Sequence, residues 1–390
     1  MGSSTNNQLH SDILTKSRTQ ARLDTGAWHG SFSKRESTLH QLAPYVGKLK
    51  SGIARTLLQL YSKPGDLVLD PFSGSGVVPL EAILLSRRAW ANDLNPYAYV
   101  LTRGKLDAPV SLDSALEKAE ALLTKVEKKA SGTDLRKVPV WIRQFFHPDT
   151  LREVLIASQI LKEKKAFFLL SCLMGILHHQ RPGFLSYPAS HLVPYLRNKK
   201  YSPDEYPEMY AYRDLRSRFI AKIERAYRNH MLTSDWKKRE YKVWRTNSMN
   251  MPIIDSSVNA IITSPPYFKA LDYARDNRLR LWFLGCKDWE KLDASLTAHA
   301  SIYLPQMQRC LQEMYRVLKS KSHCVLVLGD VERNGKTKCT AEIIADLAFN
   351  STQGGFAVES IYDDFIPDER RARRGTQTTK IERILVMRKK

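Results

Sequence analysis

Leu67-Val68-Leu69-Asp70-Pro71-Phe72-Ser73-Gly74-Ser75-Gly76 is the stretch whose reading decides the fold. Three consecutive aliphatic residues read as a short strand buried on both faces. The run after them reads as a glycine loop, in which Gly74 and Gly76 permit positive φ and a close backbone approach to a ligand. Val77 to Leu85 is apolar enough for a helix against a sheet, and its first N–H groups face the loop. Arg88-Ala89-Trp90-Ala91-Asn92-Asp93 then reads as a second strand ending in an acid. Strand, glycine loop, helix, strand and acid make a βαβ unit of nucleotide-binding type. The loop lacks the Lys-Ser/Thr ending of a triphosphate-binding loop, and Val77-Val78-Pro79 breaks the full dinucleotide spacing. Asp93 stands 17 residues beyond Gly76, where a carboxylate can accept from both ribose hydroxyls.

Working upstream, Lys63-Pro64-Gly65-Asp66 is a turn, and Ile53 to Tyr61 has helical apolar spacing. The segment Met1 to Arg22 is polar, has no apolar run and reads as a disordered tail rather than a signal peptide. Downstream, helix signals fill the block from Asp107 to Glu240. Ser111 caps a helix, Pro148-Asp149-Thr150 starts another, Phe167 to Leu177 is nearly continuous apolar, and Tyr210 to Arg228 is a basic helix. Strand signals return at Tyr241–Trp244, Asn259–Thr263, His323–Leu328, Ala357–Tyr362 and Arg383–Met387, with a helix over Tyr303–Leu318. The alternation predicts an α/β fold with a mostly parallel sheet covered on both faces. The expected division is a tail over 1–30, a first α/β part over 31–106, a helical insertion over 107–240 and a second α/β part over 241–390.

The second informative stretch is Ser264-Pro265-Pro266-Tyr267, at the end of a buried strand. Strand ends at the switch point of such sheets are where ligands bind. Two consecutive prolines remove two N–H donors and leave carbonyl oxygens and the Ser264 hydroxyl. A site made of acceptors suits an incoming –NH2 group, and Tyr267 adds a flat face for stacking. A plain Pro-Pro turn is the alternative.

The chain carries 61 Lys+Arg against 40 Asp+Glu, a formal net charge of +21, which favours a polyanionic partner. Arg370-Arg371-Ala372-Arg373-Arg374 is the densest basic run, and Lys199-Lys200 lies in the helical block; Lys237-Lys238-Arg239 is a further run. Arg370, Arg371, Arg373, Arg374, Lys199 and Lys200 are the candidate phosphate contacts. The five cysteines are odd in number and have no C-x-x-C pair, which argues against a disulfide framework and a zinc cluster. His178-His179 has no acid or Cys partners at helical spacing, so no metal site is expected. No apolar run reaches membrane-spanning length, and the composition reads as cytoplasmic.

Taken together, the two motifs resemble those of the DNA amino-methyltransferase family. Asp70–Gly76 looks like the cofactor motif. Ser264–Tyr267 looks like the catalytic motif in its Ser-Pro-Pro-Tyr, cytosine-N4 version; Asp/Asn-Pro-Pro-Tyr is more typical of adenine-N6 enzymes. Asn92-Asp93-Leu94-Asn95-Pro96 resembles the ribose-holding motif, and Leu42–Lys48, with Tyr45, resembles the segment that packs near the methionine part of the cofactor. The position that often carries an acid near the adenine reads Thr246-Asn247-Ser248 here. The cofactor motif precedes the catalytic motif, the opposite order from many Ser-Pro-Pro-Tyr enzymes, with the helical block between them as candidate target-recognition region.

The resemblance implies a Rossmann-like class I methyltransferase fold and S-adenosyl-L-methionine as cofactor. It implies a cofactor site of Tyr45, Asp70, Pro71, Phe72, Ser73, Gly74, Ser75, Gly76, Asp93, Leu94, Asn247 and Ser248. The catalytic residues implied are Ser264, Pro265, Pro266 and Tyr267. The partner implied is double-stranded DNA with its target base flipped out of the stack. None of the five cysteines follows a proline, which speaks against carbon-5 chemistry and its thiolate nucleophile. An adenine-N6 enzyme, an RNA amino-methyltransferase and a non-catalytic DNA-binding protein on the same fold stay open, as does a homodimer.

Overall fold

The computed structural model describes residues 36–191, 193–266, 273–295, 300–333, 336–365 and 381–390. Tyr267 and the four arginines at 370, 371, 373 and 374 lie outside them, as does the polar start of the chain.

The sheet is built around β1 (Leu67–Asp70), all four residues of which are buried. β2 (Arg88–Asn92) and β3 (Tyr241–Trp244) follow on one side of it. β4 (Val258–Thr263) and β5 (Leu318–Gly329) follow on the other, then β7 (Ile381–Lys389) and β6 (Phe356–Phe365) at the edge, giving the order β3-β2-β1-β4-β5-β7-β6. β1 to β5 are parallel, and β7 runs antiparallel to both β5 and β6. This is the Rossmann-like architecture that the sequence resemblance implies. The order reverses between β1 and β4, so the switch point lies at their carboxyl ends.

Alternation along the strands dresses each face of the sheet. Val68, Ala260, Ile262, Val325 and Val327 pack with Ile53, Ala54, Leu57 and Leu58 of helix α1 (Ser51–Tyr61) and Val77, Val78 and Ala82 of α2 (Val77–Leu84). Leu67, Leu69, Ile261, Cys324 and Leu326 turn the other way. They meet the helices we label α9 (Ala300–Val317) and α10 (Thr340–Ser351).

Between these halves, α3 (Pro96–Leu106) begins where Asn95 caps it, accepting from the Tyr97 N–H at 2.9 Å, with Pro96 in the first turn. A helical layer follows: α4 (Leu112–Ala130), α5 (Pro148–Glu163), α6 (Phe167–Gly175) and α7 (Leu215–Tyr227), then α8 (Arg278–Phe283) after β4. These helices share one apolar core with α3, including Leu101, Leu123, Val154, Leu173, Phe219, Leu279 and Phe283. The helical block is therefore welded to the α/β part through α3 rather than hung from it.

Three elements differ from the sequence reading. α7 starts at Leu215, not Tyr210, because Asp214 accepts from the Ser217 N–H at 2.8 Å and caps it there; Pro207–Tyr210 is a separate tight turn. β5 starts at Leu318 rather than His323. The polar run Lys319-Ser320-Lys321-Ser322 hides it, and the strand absorbs a register shift opposite Val258 and Ala260. The antiparallel direction of β7 left no trace in its apolar pattern, because a strand buried on both faces reads the same either way.

Close approach of α3 and α6 fixes the weld. A Cβ at Gly104 would stand 2.1 Å from Ser171 Oγ and 2.9 Å from the Phe167 carbonyl oxygen. Gly104→Ala is expected to destabilise the protein by about 1–3 kcal/mol through overpacking, read as a lower midpoint in urea denaturation.

Candidate active site

The carboxyl ends of β1 and β4 open into one cavity. Its wall carries Tyr45, Asp70, Phe72, Ser73, Gly74, Ser75, Asp93, Leu94, Asn247, Ser248, Ser264 and Pro266. Residues separated by almost 200 positions in the chain thus meet at one place, because β1 and β4 pair in parallel with Val68 opposite Ala260 and Leu69 opposite Ile261.

The glycine loop is shaped by its own backbone. Gly76 sits at φ 75° and caps α2, and the Thr102 Cα would lie 2.7 Å from a Cβ there, so only glycine fits. The Gly74 N–H donates to Asp93 Oδ2 at 2.8 Å, and the Asn95 N–H donates to Asp93 Oδ1 at 2.9 Å. The carboxylate of Asp93 is thereby fixed on the cavity wall with lone pairs to spare. Burial pushes its pKa up to about 6, against the two backbone hydrogen bonds that favour the charge.

Asp70 is buried and bridges the two motifs. Its Oδ1 accepts from the Thr263 hydroxyl at 2.6 Å and from the Phe72 N–H at 3.3 Å. Burial pushes its pKa up to about 7, with the nearby Asp93 charge adding to the rise. Next along β4, the Ser264 hydroxyl donates to the Val327 carbonyl oxygen at 3.1 Å. Its hydrogen is committed to β5, so towards a ligand the oxygen is an acceptor. Ser75 also lines the cavity, and its buried Oγ has no hydrogen-bond partner among the described residues.

Asn92 clamps the third wall. Its Nδ2 donates to the Thr246 carbonyl oxygen at 2.9 Å and to Ser248 Oγ at 3.1 Å, and its Oδ1 accepts from the Thr246 N–H at 3.0 Å. Ser248 in turn donates to the Pro71 carbonyl oxygen at 2.7 Å. The loop after β3 is held against the glycine loop this way. Asn247 Oδ1 accepts from the Met249 N–H at 3.0 Å, which turns its amide as well.

The segment at Tyr45 is pinned from several sides. The Tyr97 hydroxyl donates to the Pro44 carbonyl oxygen at 2.7 Å, and Lys222 Nζ of α7 donates to the Gln41 carbonyl oxygen at 2.6 Å. Beneath it, buried Glu81 accepts from Arg55 Nε at 2.8 Å and meets His40 Nε2 at 2.8 Å. Burial holds the His40 pKa down to about 4, so that ring is neutral at physiological pH.

Of the residues singled out in the sequence, Pro71, Gly76 and Pro265 stand behind the cavity rather than on it, Pro265 being buried between the lining residues Ser264 and Pro266. Pro71 and Gly76 position its wall through the Ser248 contact and the helix cap. Lys199 and Lys200 are exposed in a separate loop of the helical layer. The sequence reading missed Tyr303, Gln306, Met307 and Cys310, which line the opposite wall from α9. Their spacing of three, four and seven residues marks one helix face. That face also continues into the core, so periodicity does not separate lining from packing. Lys48 was quoted only as part of a segment; it lines the cavity and donates to the His40 carbonyl oxygen at 3.1 Å.

Asp70 gives a testable sign. Its pKa rises from the ordinary 3.8 to about 7 on folding, so the folded state binds the proton more tightly. Its contribution to stability is full at acid pH and is lost as pH rises across that window. Asp70→Asn is expected to raise the denaturation midpoint at pH 8, with the advantage shrinking towards pH 4.

Residues 14–103 match the family model for DNA methylases of the N6/N4 type, less than a quarter of the chain. No curated protein sequence matches the chain. Among solved structures, TrmN from Thermus thermophilus is 14% identical, over 92% of this chain and 53% of that one, with a TM-score of 0.36. A SAM-dependent methyltransferase from Methanosarcina mazei is 11% identical over 85% of this chain and 96% of that one, with a TM-score of 0.35. A proposed DNA modification methylase, also from Thermus thermophilus and solved in complex with S-adenosyl-L-methionine, is 23% identical. That likeness spans 37% of this chain and 53% of the other, with a TM-score of 0.23. The chain spans about half the length of the first of these structures.

Proposed function

We propose that this protein transfers a methyl group from S-adenosyl-L-methionine to an exocyclic amine of a base in DNA, with N4 of cytosine as the target. One observation carries the reading. Ser264 presents an acceptor oxygen, its hydrogen held by Val327, on the same cavity wall as the glycine loop and Asp93.

The cavity residues fit the cofactor. Asp93 can accept from ribose hydroxyls while holding the loop. Ser75 Oγ, buried without a hydrogen-bond partner among the described residues, would meet the polar amino-acid end. Asn247, whose oxygen accepts from Met249, would offer its NH2 to the adenine. Phe72, Met249 and Met307 give apolar walls on either side. When bound, the cofactor supplies an electrophilic methyl on a sulfonium, which departs as a neutral thioether.

The exocyclic amine of a base is a weak nucleophile because its lone pair is delocalised into the ring. Ser264 Oγ and the Pro265 carbonyl oxygen would accept its two hydrogens. That draws the nitrogen towards tetrahedral geometry and makes the lone pair available to the methyl carbon. The fixed acceptors stabilise the positive charge that develops on nitrogen, and much of the rate comes from positioning. The extra proton then passes to solvent. A serine at this place, rather than an acid or its amide, favours cytosine over adenine by the family resemblance. The net charge of +21 and the match of residues 14–103 to DNA methylases support a DNA substrate.

Ser264→Ala is expected to lower methyl transfer to duplex DNA by about a hundredfold, with cofactor affinity unchanged, in an assay of labelled methyl incorporation. Full activity in that variant would sink the mechanism. Asp93 must be ionised to accept from ribose, and its pKa stands at about 6. Cofactor affinity is expected to fall about tenfold per pH unit below that value. Asp93→Asn is expected to bind more weakly at pH 8 and to show no such slope in calorimetry.

A further inference from the structure

A second concave site lies away from the cavity, where the helical layer meets the chain that leaves β4. It is an open groove of about 480 Å³ whose lining includes Trp141, Gln144, Phe145, Tyr195, Arg278 and Trp289. Four rings, one guanidinium and one carboxamide therefore share one concave surface. Tyr195 is 51% exposed, and Val140 beside Trp141 is 59% exposed, so apolar surface is left uncovered here.

The charge at this groove is positive. Arg278 donates to the carbonyl oxygens of Arg275 at 3.1 Å and Pro194 at 2.5 Å, neutral acceptors that aim the guanidinium without cancelling its charge. Burial and the neighbouring Arg275 charge hold its pKa down, against the Asp276 charge, which raises it. Tyr195 shares its loop with exposed Lys199 and Lys200, the residues singled out in the sequence as phosphate contacts. The nearby acid Asp288 is paired with Lys291 at 2.8 Å.

The groove is also rigidly placed. Leu279, Leu281 and Phe283 of α8 are buried in the helical core, and Ser158 of α5 donates to the Phe283 carbonyl oxygen at 2.8 Å. Pro266 lines the cavity and Arg278 lines the groove, 12 residues later in one chain segment.

A flat aromatic ligand with a negative charge answers this chemistry. From these features we infer that the groove binds one unstacked base of the DNA strand, with Arg278 on its phosphate and Gln144 on the base edge. The base stacks against Trp141 or Tyr195, away from the base held in the cavity. The inference rests on the DNA-methyltransferase reading for its choice of ligand. A stacked base would cover the exposed ring of Tyr195 and the half-buried ring of Trp141, and the Arg278 guanidinium beside them sets the groove apart from plain apolar packing.

The test is fluorescence anisotropy with a labelled single-stranded DNA of about 12 nucleotides, long enough for one such site. Tyr195→Ala and Trp141→Ala are expected to weaken binding about five- to hundredfold, and Trp141→Phe to restore most of it. Circular dichroism checks that the variants fold, and Tyr195, being half exposed, gives the variant least able to disturb the core. Unchanged affinity in both alanine variants overturns the inference, as does tighter binding of RNA of the same sequence or of an acidic peptide. The same preparations are assayed for methyl transfer to duplex DNA. Methyl transfer by the parent with no loss of binding in either alanine variant removes the groove alone. Groove-dependent binding with no methyl transfer removes the functional reading alone.

Discussion

The parallel pairing of β1 with β4 is the constraint on which everything else in this structure depends. It sets Asp70 beside Thr263, and the 2.6 Å hydrogen bond between them closes the contact. From Asp70 the chain enters the glycine loop; from Thr263 it enters Ser264-Pro265-Pro266. Two motifs that are far apart in the chain therefore face one cavity. A slip of β4 by one residue would turn Ser264 to the opposite side of the sheet. Apolar residues on both faces of β4 would fit either register, so the Asp70–Thr263 hydrogen bond is what distinguishes this one.

The same place stores an electrostatic cost. Asp70 and Asp93 are carboxyls held in surroundings that raise their pKa to about 7 and about 6, chiefly by burial. The fold would be more stable with neutral groups there. Carboxyls with perturbed pKa that line a cavity mark a candidate functional site. The apolar cores around them, with Leu57, Leu58, Leu69 and Ile261 all fully buried, supply the stability that offsets this cost.

Much of this was legible in the sequence because the informative signals are local. Strand, glycine loop, helix and acid lie within 27 residues, from Leu67 to Asp93, and each has a distinct residue chemistry. The buried strand before Ser264 was equally plain. What escaped was non-local. The cavity face of α9 has the same period as a core face, so Tyr303 and Gln306 carry no separate mark. Asn92 looked like a strand-end residue beside Asp93, yet it ties the loop after β3 to the end of β2 through both ends of its amide. The helical block could be recognised as helical but not as welded to α3, because small-residue contacts such as Gly104 against Ser171 depend on which helices meet. The direction of β7 was hidden for the same reason: pairing partners are a property of the sheet, not of the strand.

The central claim is that Ser264 and its prolines accept the hydrogens of a base amine while the cofactor stands across the cavity. The most direct test incubates the protein with S-adenosyl-L-methionine and mixed-sequence duplex DNA, digests the DNA to nucleosides and identifies them by mass spectrometry. The account predicts N4-methylcytosine, absent when Ser264→Ala replaces the parent protein. Methylation at a ring carbon, or a modified nucleoside that appears undiminished with Ser264→Ala, would contradict it.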